Sequence, residues 1–344
     1  MRRGESRSFG MLLATLGAVV GFAVAGATVL AAPLSAVQSQ DVPVGWSDIS
    51  AMSPALSSLA ATARRAVSQD DVWVGYTFPL RAGVHIRCEQ PSGRAISFGS
   101  DDIQFHIESQ GGEVGNEPCD DRFGLFLRFD GNTSEVAEAR LLTLRRAARR
   151  LDEPVVWAGE FPAAQSVAFL RPAVLDERGS LSTSSQRARE HLLSAIAVHD
   201  DRAAAEVVLA APDPSHASEL RESAVFWTSQ VAGNEGLQRL LDVARNDADA
   251  EVRMASIFWL GQVAGERATV DLAEIAEDDP NTEVRQSAVF ALSQSEDDAA
   301  IEALIGIVRS HDNPEVVKSA LFWLGQSGDP RAGELFEQLI FGGR

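Results

Sequence analysis

The stretch Glu251-Val-Arg-Met-Ala-Ser-Ile-Phe-Trp-Leu-Gly-Gln262 decides the fold, because it returns at a fixed interval. Glu283 to Gln294 repeats it with Ala291 and Ser293 as departures, and Pro314 to Gln326 repeats it with Val317 in place of arginine. Phe226, Phe258, Phe290 and Phe322 stand 32 residues apart, and so do Gln230, Gln262, Gln294 and Gln326. Trp227, Trp259 and Trp323 share one position, and Arg221, Arg253 and Arg285 share another. Further along each unit Leu240, Leu272, Leu304 and Phe336 coincide, as do Val243, Ile275, Ile307 and Leu339. So exact a period marks a tandem array. One more unit lies upstream, with Arg189 and Val208 in register but Ser194 and Val198 in the Phe and Gln places. It reads as the degraded unit that closes an array's end.

Inside a unit the pattern is helix, turn, helix, turn. Val252 to Val263 reads as a first helix, Ala264-Gly265-Glu266-Arg267 as a turn and Thr269 to Ala276 as a second helix. Asp278-Asp279-Pro280-Asn281 ends the unit, since proline cannot continue a helix. A single unit cannot bury its apolar face, so the units must stack. Glu251 to Gln262, with Ser256 at an alanine place, resembles the short HEAT-like repeats related to those of phycobilin lyases. The resemblance covers 187–344 and implies an all-α solenoid of about five helical hairpins that offers an interaction surface. Lyase activity does not follow from the repeat alone.

On a helical wheel Trp227 falls with Leu220, Ala224 and Val231 at about 340–40°, the face that meets a partner helix, while Phe226 falls near ~240°. The tryptophans therefore read as core, with a solvent-facing aromatic groove as the alternative. The phenylalanines suit either a surface role or stacking between repeats. The glutamines lie near ~280°, where each amide bonds a neighbouring repeat or lines the concave face and reads a ligand. Phe226, Phe258, Phe290, Phe322, Gln230, Gln262, Gln294 and Gln326 are thus the candidate binding residues. The arginine column is expected to bond acids in the preceding turn, Asp249 for Arg253 and Asp279 for Arg285.

Upstream the chain changes character. Residues 1–36 read as an export signal or membrane anchor: Arg2, Arg3 and Arg7 precede the uncharged stretch 11–32, with Ala31 or Ala36 as cleavage points. Residues 37–69 read as a linker with a short helix over Pro54 to Val67, Ser53 capping it. Residues 70–177 read as a small antiparallel α+β domain. Its strands are Val72 to Phe78, Val84 to Cys88, Ala95 to Phe98, Ile103 to Ile107, Phe123 to Phe129, Val155 to Phe161 and Ser166 to Leu170, with a helix over Ser134 to Leu151. The serine-rich stretch 178–186 reads as a linker. Cys88 and Cys119 are the only cysteines, and in an oxidising compartment they pair as a disulfide. The rival is a zinc site of His85, Cys88, His106 and Cys119, whose spacing fits no standard zinc pattern.

The net charge is −19, and residues 186–344 hold 28 acidic against 13 basic side chains. That balance excludes a nucleic-acid partner and favours a protein that is neutral or basic at the contact. No His-Glu-x-x-His, phosphate loop or serine-nucleophile elbow is present, and no cofactor or metal is expected. Asp130 to Ser134 opens like a calcium loop but lacks the required later glycine and glutamate. His199-Asp200-Asp201 reads as a solvated turn rather than a weak metal site. Arg140, Arg145, Arg146, Arg149 and Arg150 form a basic face that is solvated, docks on the acidic repeats or meets an anionic membrane. The leading expectation is an exported interaction scaffold in the cell envelope or outside the cell. The alternatives are an enzyme or small-ligand sensor sited around Trp73, Tyr76, His85 and His106, and a sensor held by an uncleaved anchor.

Overall fold

A computed structural model describes residues 42–67, 71–81, 84, 122–131, 135–231, 233–295 and 297–341. The export segment, the cysteines, His85, His106 and the strands expected between 85 and 107 lie outside the described residues.

The fold starts from a strand too apolar to face water. In β2 (Val72–Thr77) every residue is buried, so the strand must lie in the middle of a sheet covered on both sides. The sheet order is β1-β5-β2-β3-β4, with β1 at Ser47–Asp48, β3 at Phe123–Phe129, β4 at Val136–Thr143 and β5 at Val155–Glu160. β2, β3 and β4 pair antiparallel, whereas β5 runs parallel to both β2 and β1. The expected antiparallel sheet is therefore mixed. The chain between β4 and β5 carries a helix, α2 (Leu144–Arg150), and returns β5 beside β2 instead of closing a meander.

Two expected elements change type. The helix foreseen over Ser134 to Leu151 is β4 followed by α2, with Thr143 at the junction accepting the Arg146 N–H at 3.3 Å. Its Ala, Glu, Arg and Leu favour helix, but the open edge of β3 and a buried face at Val136, Ala139 and Leu141 outweigh that preference. The strand foreseen at Ser166 to Leu170 lies inside α3 (Ala163–Leu175), which buries Ala163, Ser166, Val167, Leu170, Ala173 and Val174 at helical spacing. Upstream, Leu56–Ser58 makes a 3-10 turn and α1 spans Leu59–Val67. Ser53 adopts φ 45° at the end of an earlier turn and caps neither.

From α4 (Gln186–Ala197) and α5 (Arg202–Ala210) onward the chain is helical hairpins. They continue as α6 (Ser218–Ser229) with α7 (Asn234–Asn246), and α8 (Ala250–Val263) with α9 (Thr269–Asp278). Then come α10 (Thr282–Ser293) with α11 (Asp298–Ser310), and α12 (Pro314–Ser327) with α13 (Pro330–Phe341). Asp249, Asn281 and Asn313, 32 residues apart, cap α8, α10 and α12 by accepting the N–H of Glu251, Glu283 and Glu315. Successive first helices pack along their length, while successive second helices touch only in part. The first helices are therefore the more closely packed layer of the stack.

The apolar core does not stop at the serine-rich stretch. One cluster runs from Val74, Tyr76 and Leu127 of the sheet through α3 into Leu192, Val207 and Leu220 of the hairpins. Leu181 and Thr183, inside the expected linker, are themselves buried.

Candidate binding face

The arginine column sets the register on which the surface columns ride. Arg221 grips Asp247 through two hydrogen bonds of 2.8 Å, and Arg253 grips Asp279 at 2.9 and 3.0 Å. Each carboxylate lies 26 residues ahead, in the turn after the unit. The bond expected to the preceding turn is instead made to a backbone carbonyl, Arg253 to Asp247 at 2.8 Å. Asp247 and Asp279 also accept the N–H of Asp249 and Asn281, so each pair locks a first helix to the next cap. Burial pushes the Asp247 carboxyl up, but the Arg221 bonds, the Asp249 N–H and the charges of Arg221 and Arg253 outweigh it and hold it below its usual range.

The tryptophans fill the seams between repeats. Trp227 donates to Ser194 Oγ at 3.2 Å, Trp259 lies 5.0 Å from the Phe226 ring and Trp323 lies 5.0 Å from Phe290. Each thus packs on the residue in the Phe place of the unit before it. Where Ala291 replaces the tryptophan, the gap closes by approach of the helices, since a Cβ on Gly261 would sit 3.1 Å from the Ala291 Cβ.

The Phe column runs along the first-helix layer and grows more exposed toward the last repeat. Phe226 is buried, Phe258 and Phe290 are half-buried, and Phe322 is 58% exposed. Together with Trp259 and Trp323 they form an aromatic strip across the first helices. Beside it stand the glutamines: Gln230 half-buried, Gln262, Gln294 and Gln326 exposed. None is spent on a neighbouring repeat's backbone. Gln230 and Gln294 donate to the hydroxyls of Ser229 and Ser293, the residues next to them, at 2.8 and 3.2 Å. On the other side of the strip Glu219, Glu251, Glu283 and Glu315, again 32 residues apart, are all exposed.

The rival site in the sheet does not assemble from the residues that can be placed. Trp73 and Tyr76 are three apart on β2 and so point to opposite faces. Trp73 joins Phe126 and Trp157 beneath α2, and Tyr76 joins the core under α3. What sequence reasoning missed is a buried relay. Tyr76 Oη lies 2.9 Å from Ser166 Oγ, and Ser166 Oγ lies 2.7 Å from His199 Nε2. His199 Nδ1 donates to the Ala195 carbonyl at 2.7 Å, which leaves Nε2 as an acceptor for the serine and the serine as an acceptor for the tyrosine. The Phe78 ring stacks on the imidazole at 3.4 Å. A serine beside a histidine suggests a nucleophile, but Ser166 is 0% and His199 2% exposed, and the imidazole is oriented by a carbonyl rather than a carboxylate. His199 is not part of a solvated turn; of its neighbours, Asp201 caps α5 through the Ala203 N–H at 2.8 Å. The relay clamps sheet to solenoid, helped by Arg81 N–H to the Val198 carbonyl and Asp200 N–H to the Pro79 carbonyl. Only the isolated polar residues were legible beforehand, because their meeting is set by the packing of α3 on α4.

Residues 269–340 match the family model of HEAT repeats. The C-terminal half is built of HEAT-like repeats. The chain is similar to one in the structure of the complex of CpcE and CpcF of phycocyanin lyase from Nostoc sp. PCC7120. The identity is 22% and the TM-score 0.30, covering 42% of this chain and 93% of that one. No curated protein shows a significant sequence match. Among the described residues no group of three or more His, Cys, Asp or Glu is placed to hold a metal ion, and no helix is long and apolar enough to cross a membrane.

Proposed function

We propose that this protein is a scaffold that holds another protein against the first-helix face of its HEAT repeats, in the cell envelope or outside the cell. The observation that carries the reading is the pair of columns, amide and aromatic, on one face. Gln262, Gln294 and Gln326 face solvent beside a half-exposed aromatic strip, and the same chemistry recurs in successive repeats. Aromatic residues supply contact area at small entropic cost, and amides supply hydrogen bonds to a partner's backbone. The export location rests on the basic flank and uncharged stretch at the N-terminus.

The test is affinity capture from native envelope extract with the full chain, against a control carrying Gln262→Ala, Gln294→Ala and Phe290→Ala that circular dichroism shows to be folded. A partner held by the wild type and lost by the control is the expected result. Equal capture by both removes the first-helix face from the account.

A further inference from the structure

The first-helix face carries a charge pattern that the aromatic strip and glutamines do not explain. Glu219, Glu251 and Glu283 project from the first turns of α6, α8 and α10, where a carboxylate suits the helix dipole. That accounts for their place, and no Arg or Lys among the described residues forms an ion pair with any of them, although Arg221 feels the charge of Glu219. One column further round the helices the repeat changes in sequence order: Glu190, Glu222, Met254, Gln286, Lys318. Arg187 stands in the place of Glu219 in the first repeat, beside Glu190, so that repeat is mixed, the face is most negative over α6, and it gains a cation again at its last repeat. Partial burial and then the charges of Glu251, Asp249, Glu190 and Glu219 hold the Glu222 carboxyl above its usual range, as expected where acids crowd without a counter-ion.

Packed helices stand about 8–10 Å apart, and an extended chain advances about 3.3 Å per residue, so each repeat spans about three residues of such a chain. Every repeat would then present an amide to the same kind of peptide group, a ring to an apolar side chain and a glutamate to a side chain on the flank. A folded partner, whose surface does not repeat at this interval, gains nothing from the identity of the columns.

We infer that the occupant of the first-helix face is an extended segment of another protein bearing Arg or Lys among apolar residues, laid across the helices with its most basic part over Glu219, Glu222 and Glu251. The inference rests on the face being the protein-binding surface proposed above.

The probe is a fluorescein-labelled twelve-residue peptide of alternating Leu and Arg, with a Leu–Glu twin, titrated by fluorescence anisotropy against the full chain. The Arg peptide is expected to bind about tenfold or more tightly than its twin and to weaken with salt. A triple variant with Glu219→Gln, Glu251→Gln and Glu283→Gln is expected to lose about tenfold. A matched triple on second helices, Glu277→Gln, Glu334→Gln and Glu337→Gln, removes the same charge and is expected to lose nothing. Gln262→Ala with Gln294→Ala is expected to weaken binding several-fold at any salt. Equal binding of the twin, or equal loss in both triples, overturns the inference by reducing the attraction to net charge. If capture from extract depends on the face while the Arg peptide does not bind, only the partner's chemistry is wrong. If capture ignores the face, the underlying reading falls as well.

Discussion

Arg285 stands in a column whose first two members are each held by a carboxylate, and it lacks one. The position 26 residues ahead is His311, whose Nδ1 takes over the cap contact by accepting the Asn313 N–H at 2.9 Å. Arg285 keeps a single bond, to Thr282 at 3.2 Å, and its Nε is buried without a partner. His311→Asp restores the carboxylate and is expected to raise stability by about 1–2 kcal/mol, read as a higher urea midpoint. Asp279→Ala leaves Arg253 as an uncompensated buried charge and is expected to cost about 3–5 kcal/mol in the same assay. His199 supplies a pH signature. Burial takes its imidazole down to about 4, whereas in the unfolded chain it protonates near 6.5. Between those values the unfolded state binds more protons, so stability is flat above neutrality and falls on acidification through that window. At about 1.4 kcal/mol per pH unit the total is roughly 3 kcal/mol. Urea midpoints at pH 7.5 and 4.5 are expected to show the drop, and His199→Asn, which does not titrate, is expected to remove most of it. The Asp247 carboxyl acts in a lower window, since its contribution is lost only as pH falls below the usual carboxylate range.

At the scale of elements, the helices of the repeats were legible because period and proline agree, and the caps that the structure adds at Asn281 and Asn313 keep the same 32-residue interval. The sheet half was less legible, because there tertiary contacts overrule local preference. Val136 to Thr143 has helix-forming residues yet pairs with β3, and Ser166 to Leu170 is an apolar run too short to reveal its period. Of the candidate face, the residues were legible from the register, but their exposure was not. Phe226 and Phe322 share one column, yet one is 8% and the other 58% exposed, because exposure depends on where a repeat sits in the stack. Gly75 shows how tightly the sheet is covered, since a Cβ there would lie 2.4 Å from Phe126 Cε1 and 3.1 Å from Trp157 Cε3. Gly75→Ala is expected to cost about 1–3 kcal/mol through overpacking, measured by chemical denaturation.

For the whole molecule, the sheet and the first hairpins are one packed body. The core that contains Tyr76 and Leu127 also contains Leu192 and Val207, and the Tyr76–Ser166–His199 relay crosses the same seam. A fragment of residues 186–344 is therefore expected to lose hydrogen-exchange protection in α4 and α5 while α8 to α11 keep theirs. Uniform protection along the fragment would show that the repeats do not depend on the sheet. Among the described residues the sheet thus covers one end of the stack, while Gln262, Gln294 and Gln326 on the first helices stay exposed. The central claim, that this face holds a protein, is tested most directly by placing a photo-crosslinking residue at Gln294 and, separately, at Glu277 on the second-helix side. Irradiation of cells is expected to trap a discrete partner through position 294 and none through position 277. Crosslinks through 277 alone, or none through 294, would contradict it.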